Sequence, residues 1–247
     1  MHLYPAYDLE TALRAALENL STLAGAEAIK VICLTERFDC HYFKQIKQEE
    51  LKVENLKFNL INEDGPVEVE FIDSEKLYIF AGRQIVTKER LELLALTKDV
   101  DVPDGLPYES AIKQINQQGA LAVVNWAPGK WFGRRGELIK QIFNNYASAE
   151  IAICDTTLRF AGWTKPTLMQ QAFSDGRAVL AGSDPFPLNN EYSRIGSYAL
   201  LYHSADAQCL LADKFKTLLI DANRCAITVG SRPGVLNFAL RMLRYYA

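Results

Sequence analysis

Four apolar runs, Val31-Ile32-Cys33-Leu34, Ala122-Val123-Val124, Ile151-Ala152-Ile153 and Val179-Leu180-Ala181, each stop abruptly at polar residues, and helical patterns lie between them. Short runs that are apolar throughout, without alternation, match strands buried on both faces. Strands alternating with helices favour a mainly parallel sheet, and the right-handed crossover brings the carboxyl ends of such strands to one side. Sites in folds of this kind sit on that side. The 247 residues suit one α/β barrel domain, since such barrels run to about 200–250 residues.

The elements can be placed coarsely. Asp8 is a helix cap, followed by Leu9, Leu13, Ala16, Leu17, Leu20 and Leu23 at helical spacing and by Gly25 as a stop. Residues 56–97 change character, with β-prone runs at 67–71, 76–80 and 91–96 broken by Asp64-Gly65-Pro66 and Ala81-Gly82. They predict a small antiparallel insertion in the barrel. Helices are expected at 108–118, 137–146, from about 166, and at 235–245, with strands at 121–125, 150–155 and 178–181. No repeat or linker divides the chain, so residues 1–247 are expected to form one domain.

Composition narrows the partners. A net charge of −3 with 49% hydrophobic and 23% charged residues describes an ordinary globular chain with no global attraction to nucleic acid or an anionic membrane. No apolar stretch approaches the roughly 18–20 residues of a membrane span. The five cysteines are odd in number and mostly sit in apolar runs, the pattern of buried free thiols in a reducing compartment. A cytoplasmic location is expected, while oligomeric state stays open.

Chemistry is concentrated at the strand ends. Glu36, Arg37, Asp39, Cys40 and His41 follow the first run, Asn125 and Trp126 the second, Cys154 and Asp155 the third, and Gly182, Ser183 and Asp184 the fourth. Burying so many polar groups together is costly unless they pair or meet a ligand, so their convergence points to a pocket. A self-satisfied ring of hydrogen bonds is the competing reading.

Gly182-Ser183-Asp184-Pro185-Phe186 resembles the Gly-Ser-Asp-Ala-His signature of the polymerase and histidinol phosphatase (PHP) family. Gly82-Arg83-Gln84-Ile85 is similar to its Gly-x-Glu-Ile element, and residues 119–126 resemble its strand ending in Ala-His-Pro. The likeness extends from the first strand to about residue 190. It implies a distorted (β/α)7 TIM-like barrel and phosphoester hydrolysis at two or three divalent ions. It also implies that most of the metal ligands are missing here: Glu36-Arg37 stands for Asp-His, Gln84 for Glu, Glu92 for a strand histidine, Trp126 and Phe186 for histidines. His2 and Asp184 remain as candidate ligands. Gln, Arg, Trp and Phe cannot replace anionic or imidazole donors, so the expected cofactor is none or a single Zn, Mn or Mg ion.

Arg37 in that zone is a fixed cation that can neutralise Glu36, Asp155 or Asp184, or hold a phosphate or carboxylate. Lys130, Arg134 and Arg135 lie in the glycine-rich stretch 129–136 ahead of a helix, an arrangement that suits an anion. It is not a P-loop, because no Gly-Lys-Ser/Thr opens the helix. Asp39, Cys40 and His41 with His2 have the donor types of a small zinc or iron site, but adjacent side chains usually point apart, which argues against one. His203 reads as a locally paired residue and 230–234 as a turn before the last helix.

These residues predict a pocket for a small phosphorylated or anionic ligand. Arg37, Asn125, Trp126, Lys130, Arg134 and Arg135 would bind it; Asp184, Asp155 and Glu36 would carry any acid–base work. Hydrolysis is expected to be weak or lost. An active metal-dependent phosphoesterase and a non-catalytic scaffold are the two alternatives.

Overall fold

Asp8 opens the first helix as the sequence implies: its carboxylate accepts from the Thr11 backbone N–H at 2.9 Å, and Gly25 ends the helix at φ 89°. The computed structural model describes residues 1–203 and 207–246. In chain order the elements are α1 (Leu9–Ala24), β1 (Val31–Cys33), α2 (Tyr42–Lys47), β2 (Leu56–Leu60), β3 (Val67–Phe71), β4 (Lys76–Phe80), β5 (Gly82–Val86) and β6 (Glu92–Leu96). These are followed by α3 (Tyr108–Gln117), β7 (Leu121–Asn125), α4 (Gly133–Asn145), β8 (Ile151–Thr156), α5 (Thr167–Ser174) and β9 (Val179–Gly182). The last part holds β10 (Tyr198–Tyr202), α6 (Ala212–Ile220), α7 (Ala222–Cys225), β11 (Ala226–Gly230) and α8 (Val235–Tyr246), with single-turn helices at Glu191–Arg194 and Ala207–Leu210.

The strands form three sheets, ordered β1-β4-β3-β2, β5-β6-β7-β8-β9 and β10-β11, and none closes into a barrel. The expected TIM-like barrel is therefore incorrect. Strand–helix alternation holds from α3 to β9, where β7, β8 and β9 run parallel. The hairpins of residues 56–96 are antiparallel but are no appendage, because β4 lies between β1 and β3, and β6 between β5 and β7. Apolar pattern shows that a strand is buried, not which neighbour it takes.

Two local features explain the joined side and the open side. Where β4 passes into β5, the Glu36 N–H donates to Gly82 O at 3.0 Å and the Gln84 N–H to Glu36 O at 2.8 Å. Gly82 permits this approach, since a Cβ there would overlap the Leu34 carbonyl oxygen. On the opposite side, the edge of β1 is taken by the first residue: the Met1 ammonium donates to Cys33 O, and Thr35 N–H to Met1 O. The start of β9 is met by the Asn223 side chain, which accepts from Val179 N–H and donates to Arg177 O. Those side contacts occupy groups that a closing ladder would use.

Packing follows from the two faces of the central sheet. One carries Leu93, Ala122, Val124, Ile151 and Ile153 against Ile112, Ile115, Ile139, Ile142 and Met169 of α3, α4 and α5. The other carries Leu94, Leu96, Leu121, Val123 and Leu180, closed by α6 through Phe215, whose ring stacks on Phe80 at 4.3 Å. Leu13 and Leu17 of α1 cover the sheet of β1, each stabilising the fold by about 2 kcal/mol. No helix among the described residues is long and apolar enough to cross a membrane.

Candidate functional site

A cleft of about 740 Å³ opens at the ends of β5, β6, β7 and β9 and is walled by the carboxyl end of α8. Its rim brings together the cations Arg37, Lys88, Arg90 and Lys130, the acids Glu92, Asp104 and Asp184, and the rings of Tyr4, Phe38, Phe186, Tyr245 and Tyr246. His2 and Gln84 also line it.

The floor is built by the chain start and the loop after β9. His2 Nε2 lies 3.6 Å from Asp184 Oδ1, its Nδ1 is 3.4 Å from Thr35 Oγ1, and its ring stacks on Tyr4 at 5.2 Å. Burial, reinforced by the neighbouring Met1 ammonium, lowers the imidazole pKa to about 3, so His2 is neutral at pH 7. Burial raises the Asp184 carboxyl to about 6, and Glu92 adds to the rise; the ammonium and an Asn125 side-chain hydrogen bond oppose it. The Asp184 backbone sits at φ 44°, a left-handed conformation that aspartate tolerates better than most residues.

Sequence-nominated residues are divided by the fold. Arg37, Lys130, His2 and Asp184 line the cleft, and Asn125 touches it through Asp184. Arg37 forms a two-point contact with Asp39, at 3.1 and 2.8 Å, and Lys130 is paired with Glu92. Trp126 lies in the core, fully buried and edge-on to Trp163 at 5.3 Å. Arg134 and Arg135 do not line the cleft, because α4 begins at Gly133 and absorbs them into its first turn. Arg134 points to solvent and Arg135 donates to Gly129 O at 2.8 Å.

Asp155 and Glu36 are occupied elsewhere. Both Asp155 oxygens are held by the Arg159 guanidinium, and Tyr198 OH donates to Oδ2 at 3.2 Å, all in the interior. Glu36 turns to α2, accepting from the Phe43 N–H at 3.2 Å. Its pKa is raised to about 7 by burial, against the pull of the Phe43 and Tyr42 N–H groups. The folded state thus holds a proton between roughly pH 4.5 and 7 that the unfolded chain releases, and stability falls as pH rises through this window. Glu36→Gln keeps the acceptor without the charge and is expected to stabilise the protein by about 3 kcal/mol above pH 7 and far less at pH 4.5. Urea unfolding at the two pH values measures this; equal effects at both would contradict it.

Sequence reading placed the last helix at 235–245 but missed that it and the β5–β6 hairpin tip build the site. Thr87 and Leu91 close the β5–β6 turn by main-chain and hydroxyl hydrogen bonds, which presents Lys88 and Arg90 to the cleft. Thr-Lys-Glu-Arg between two β-prone runs was the available signal. From α8, Arg241 reaches the interior and binds Glu191 through Nε at 3.0 Å and Nη2 at 2.6 Å, and Thr157 Oγ1 through Nη1 at 3.3 Å. It also lies over the Phe186 ring, which stacks on Tyr245 at 4.6 Å.

The donors do not fit a multinuclear metal centre. Among the described residues no three His, Cys, Asp or Glu side chains come together as a metal-holding group. His2 and Asp184 supply two donors, and the nearby Glu92 is bound to the Lys130 ammonium. A catalytic ion ordinarily takes three protein ligands.

No family model matches the chain, and no curated protein matches its sequence. Among solved structures it is similar to PsfC from Pseudomonas syringae PB-5123, with a TM-score of 0.60 and 12% identity over 98% of this chain and 92% of that one. It is also similar to the lesion-specific endonuclease PfuEndoQ from Pyrococcus furiosus, with a TM-score of 0.50 and 14% identity, over 92% of this chain and 56% of the endonuclease. At such identities the likeness is one of fold: the chain shares its architecture with these two proteins.

Proposed function

We propose that the chain is a divergent PHP-type protein whose cleft binds a small phosphorylated or otherwise anionic ligand, with hydrolysis weak or lost. The observation that carries this reading is the grouping of Arg37, Lys88, Arg90 and Lys130 around one concave site. The four cations come from three segments, with Arg37 and Lys130 already paired to Asp39 and Glu92; an anion adds a counter-charge to the group and competes with those two carboxylates. Arg37 suits two-point contact with a phosphate, whereas the lysines act as point charges. Similarity of fold to an endonuclease supports a phosphoester as the ligand class.

At the floor, the neutral His2 imidazole and Asp184 form the acid–base pair available to a bound ester. No step is assigned to a metal, given the donor set. Weak or absent turnover follows, since a phosphoester dianion must then be activated by protein cations alone.

Titration calorimetry with phenyl phosphate and inorganic pyrophosphate at low salt tests the reading. Saturable one-site binding that weakens with salt is expected, with Arg37→Ala and Lys88→Ala each costing roughly tenfold in affinity. Arg134→Ala should leave affinity unchanged, since that side chain faces solvent outside the cleft. Absence of saturable binding, or a loss confined to Arg134→Ala, overturns the proposal. Rapid hydrolysis of phenyl phosphate with added Mn²⁺ or Zn²⁺ would favour the active phosphoesterase instead.

A further inference from the structure

A second cavity, of about 540 Å³, lies where the sheets fail to meet, between β1 on one side and β9 and β10 on the other, with α1 and α6 at its ends. It is separate from the anion cleft. We propose that this cavity binds the hydrocarbon chain of a fatty-acid-like ligand, whose head group stays hydrated at the open mouth on the side of the exposed His203.

Three observations converge on that chemistry. Branched aliphatic side chains dominate the wall, among them Leu23, Ile32, Leu94, Leu180, Leu200 and Leu219, which come from six separate elements. Six polar side-chain or terminal groups at the wall are committed to the protein: Tyr198 OH to Asp155 at 3.2 Å, Tyr202 OH to Leu218 O at 3.1 Å, Lys30 Nζ to Ala26 O, the Met1 ammonium to Cys33 O, Ser183 Oγ to Gly196 N–H at 3.3 Å and Thr35 Oγ1 to His2 at 3.4 Å. Water therefore gains few partners in it, and a polar ligand finds little to recognise. Burial raises the Cys33 thiol to about 12 and pushes up the Cys154 thiol as well, so both wall sulfurs are neutral.

Size then selects the occupant. Interiors are close-packed, and an apolar void of roughly 150 Å³ already takes up benzene. This one is more than three times larger and lies within the range of about 300–1,000 Å³ typical of ligand pockets. Its wall is aliphatic along strands of all three sheets, which suits an extended alkyl chain better than a polar or charged molecule.

Dodecanoate is the probe, and the native cysteines report its position. Cys33 and Cys154 line the cavity, whereas Cys225 is exposed elsewhere. Labelling by N-ethylmaleimide, followed by peptide mass spectrometry, should slow at Cys33 and Cys154 by about a hundredfold at a free dodecanoate concentration of 100 times the dissociation constant, with Cys225 unaffected. Leu200→Trp and Leu218→Trp, which fill the void from two different elements, should abolish this protection while leaving phenyl phosphate binding intact. Equal slowing at Cys225, no saturable dodecanoate binding to the unaltered protein, or undiminished protection in a folded tryptophan variant would overturn the proposal.

Discussion

Arg241→Met is expected to lower the midpoint of thermal unfolding by about 10 °C, because it strands the buried Glu191 carboxylate. Arg241 and Glu191 are both buried and joined through three short contacts, at 3.0, 3.1 and 2.6 Å. Removing one member of such a pair costs roughly 3–5 kcal/mol, and each kcal/mol shifts the midpoint of a domain this size by about 2–4 °C. Arg194 also contacts Glu191, at 3.1 Å, from a more exposed position, which places the loss at the lower end of that range. Adding Glu191→Gln should recover much of it, since the lone charge then disappears. Calorimetry on the single and double variants gives the answer; a shift below about 3 °C would show that α8 is held mainly by other contacts. Phosphate binding should weaken together with stability, because Met242, Tyr245 and Tyr246 of the same helix wall the cleft.

Asp155→Ala is expected to be as damaging, and it separates two views of that residue. The fold makes Asp155 the counter-charge of Arg159, itself buried and donating through Nη1 to Trp163 O at 2.6 Å. Deleting the carboxylate leaves a guanidinium in the interior at a cost of about 3–5 kcal/mol. Pairing the change with Arg159→Leu should restore a folded protein with unaltered affinity for phenyl phosphate. Had Asp155 served the cleft, the single variant would keep its stability and lose affinity, so denaturant unfolding and calorimetry together distinguish the two roles.

These two pairs show why the sequence was legible in part. The run Ile151-Ala152-Ile153 identified a buried strand, and Asp155 at its end was correctly marked as a polar group in costly surroundings. Its partner Arg159 lies four residues on, in a stretch without periodicity, so the pairing was invisible. Similarly, Asp8 and Gly25 bracketed α1 because capping chemistry is local. Sheet order was not local: whether β4 pairs with β1 or β6 with β7 depends on contacts 47 and 25–31 positions apart, and the apolar pattern of a strand is indifferent to them.

The cleft was half legible for the same reason. Arg37, Lys130 and Asp184 follow strands within a few residues, where strand direction places them at one end, whereas His2 precedes α1 and was marked by the family resemblance alone. Lys88 and Arg90 reach the same place through a hairpin tip, and Met242, Tyr245 and Tyr246 through a helix whose apolar stripe, Leu236, Leu240 and Leu243, faces solvent instead of the core. Arg134 and Arg135 were misdirected because α4 starts four residues before the first strongly periodic position.

The central claim is that an anion is held among Arg37, Lys88, Arg90 and Lys130, above the His2–Asp184 floor. Mapping ¹⁵N chemical shifts during titration with phenyl phosphate tests it directly. The predicted result is a saturable set of shifts confined to residues around 2–4, 37–38, 84–92, 127–130, 184–187 and 242–246. Shifts scattered over unrelated surfaces, or centred on Arg134 and Arg135 with these segments unmoved, would contradict it.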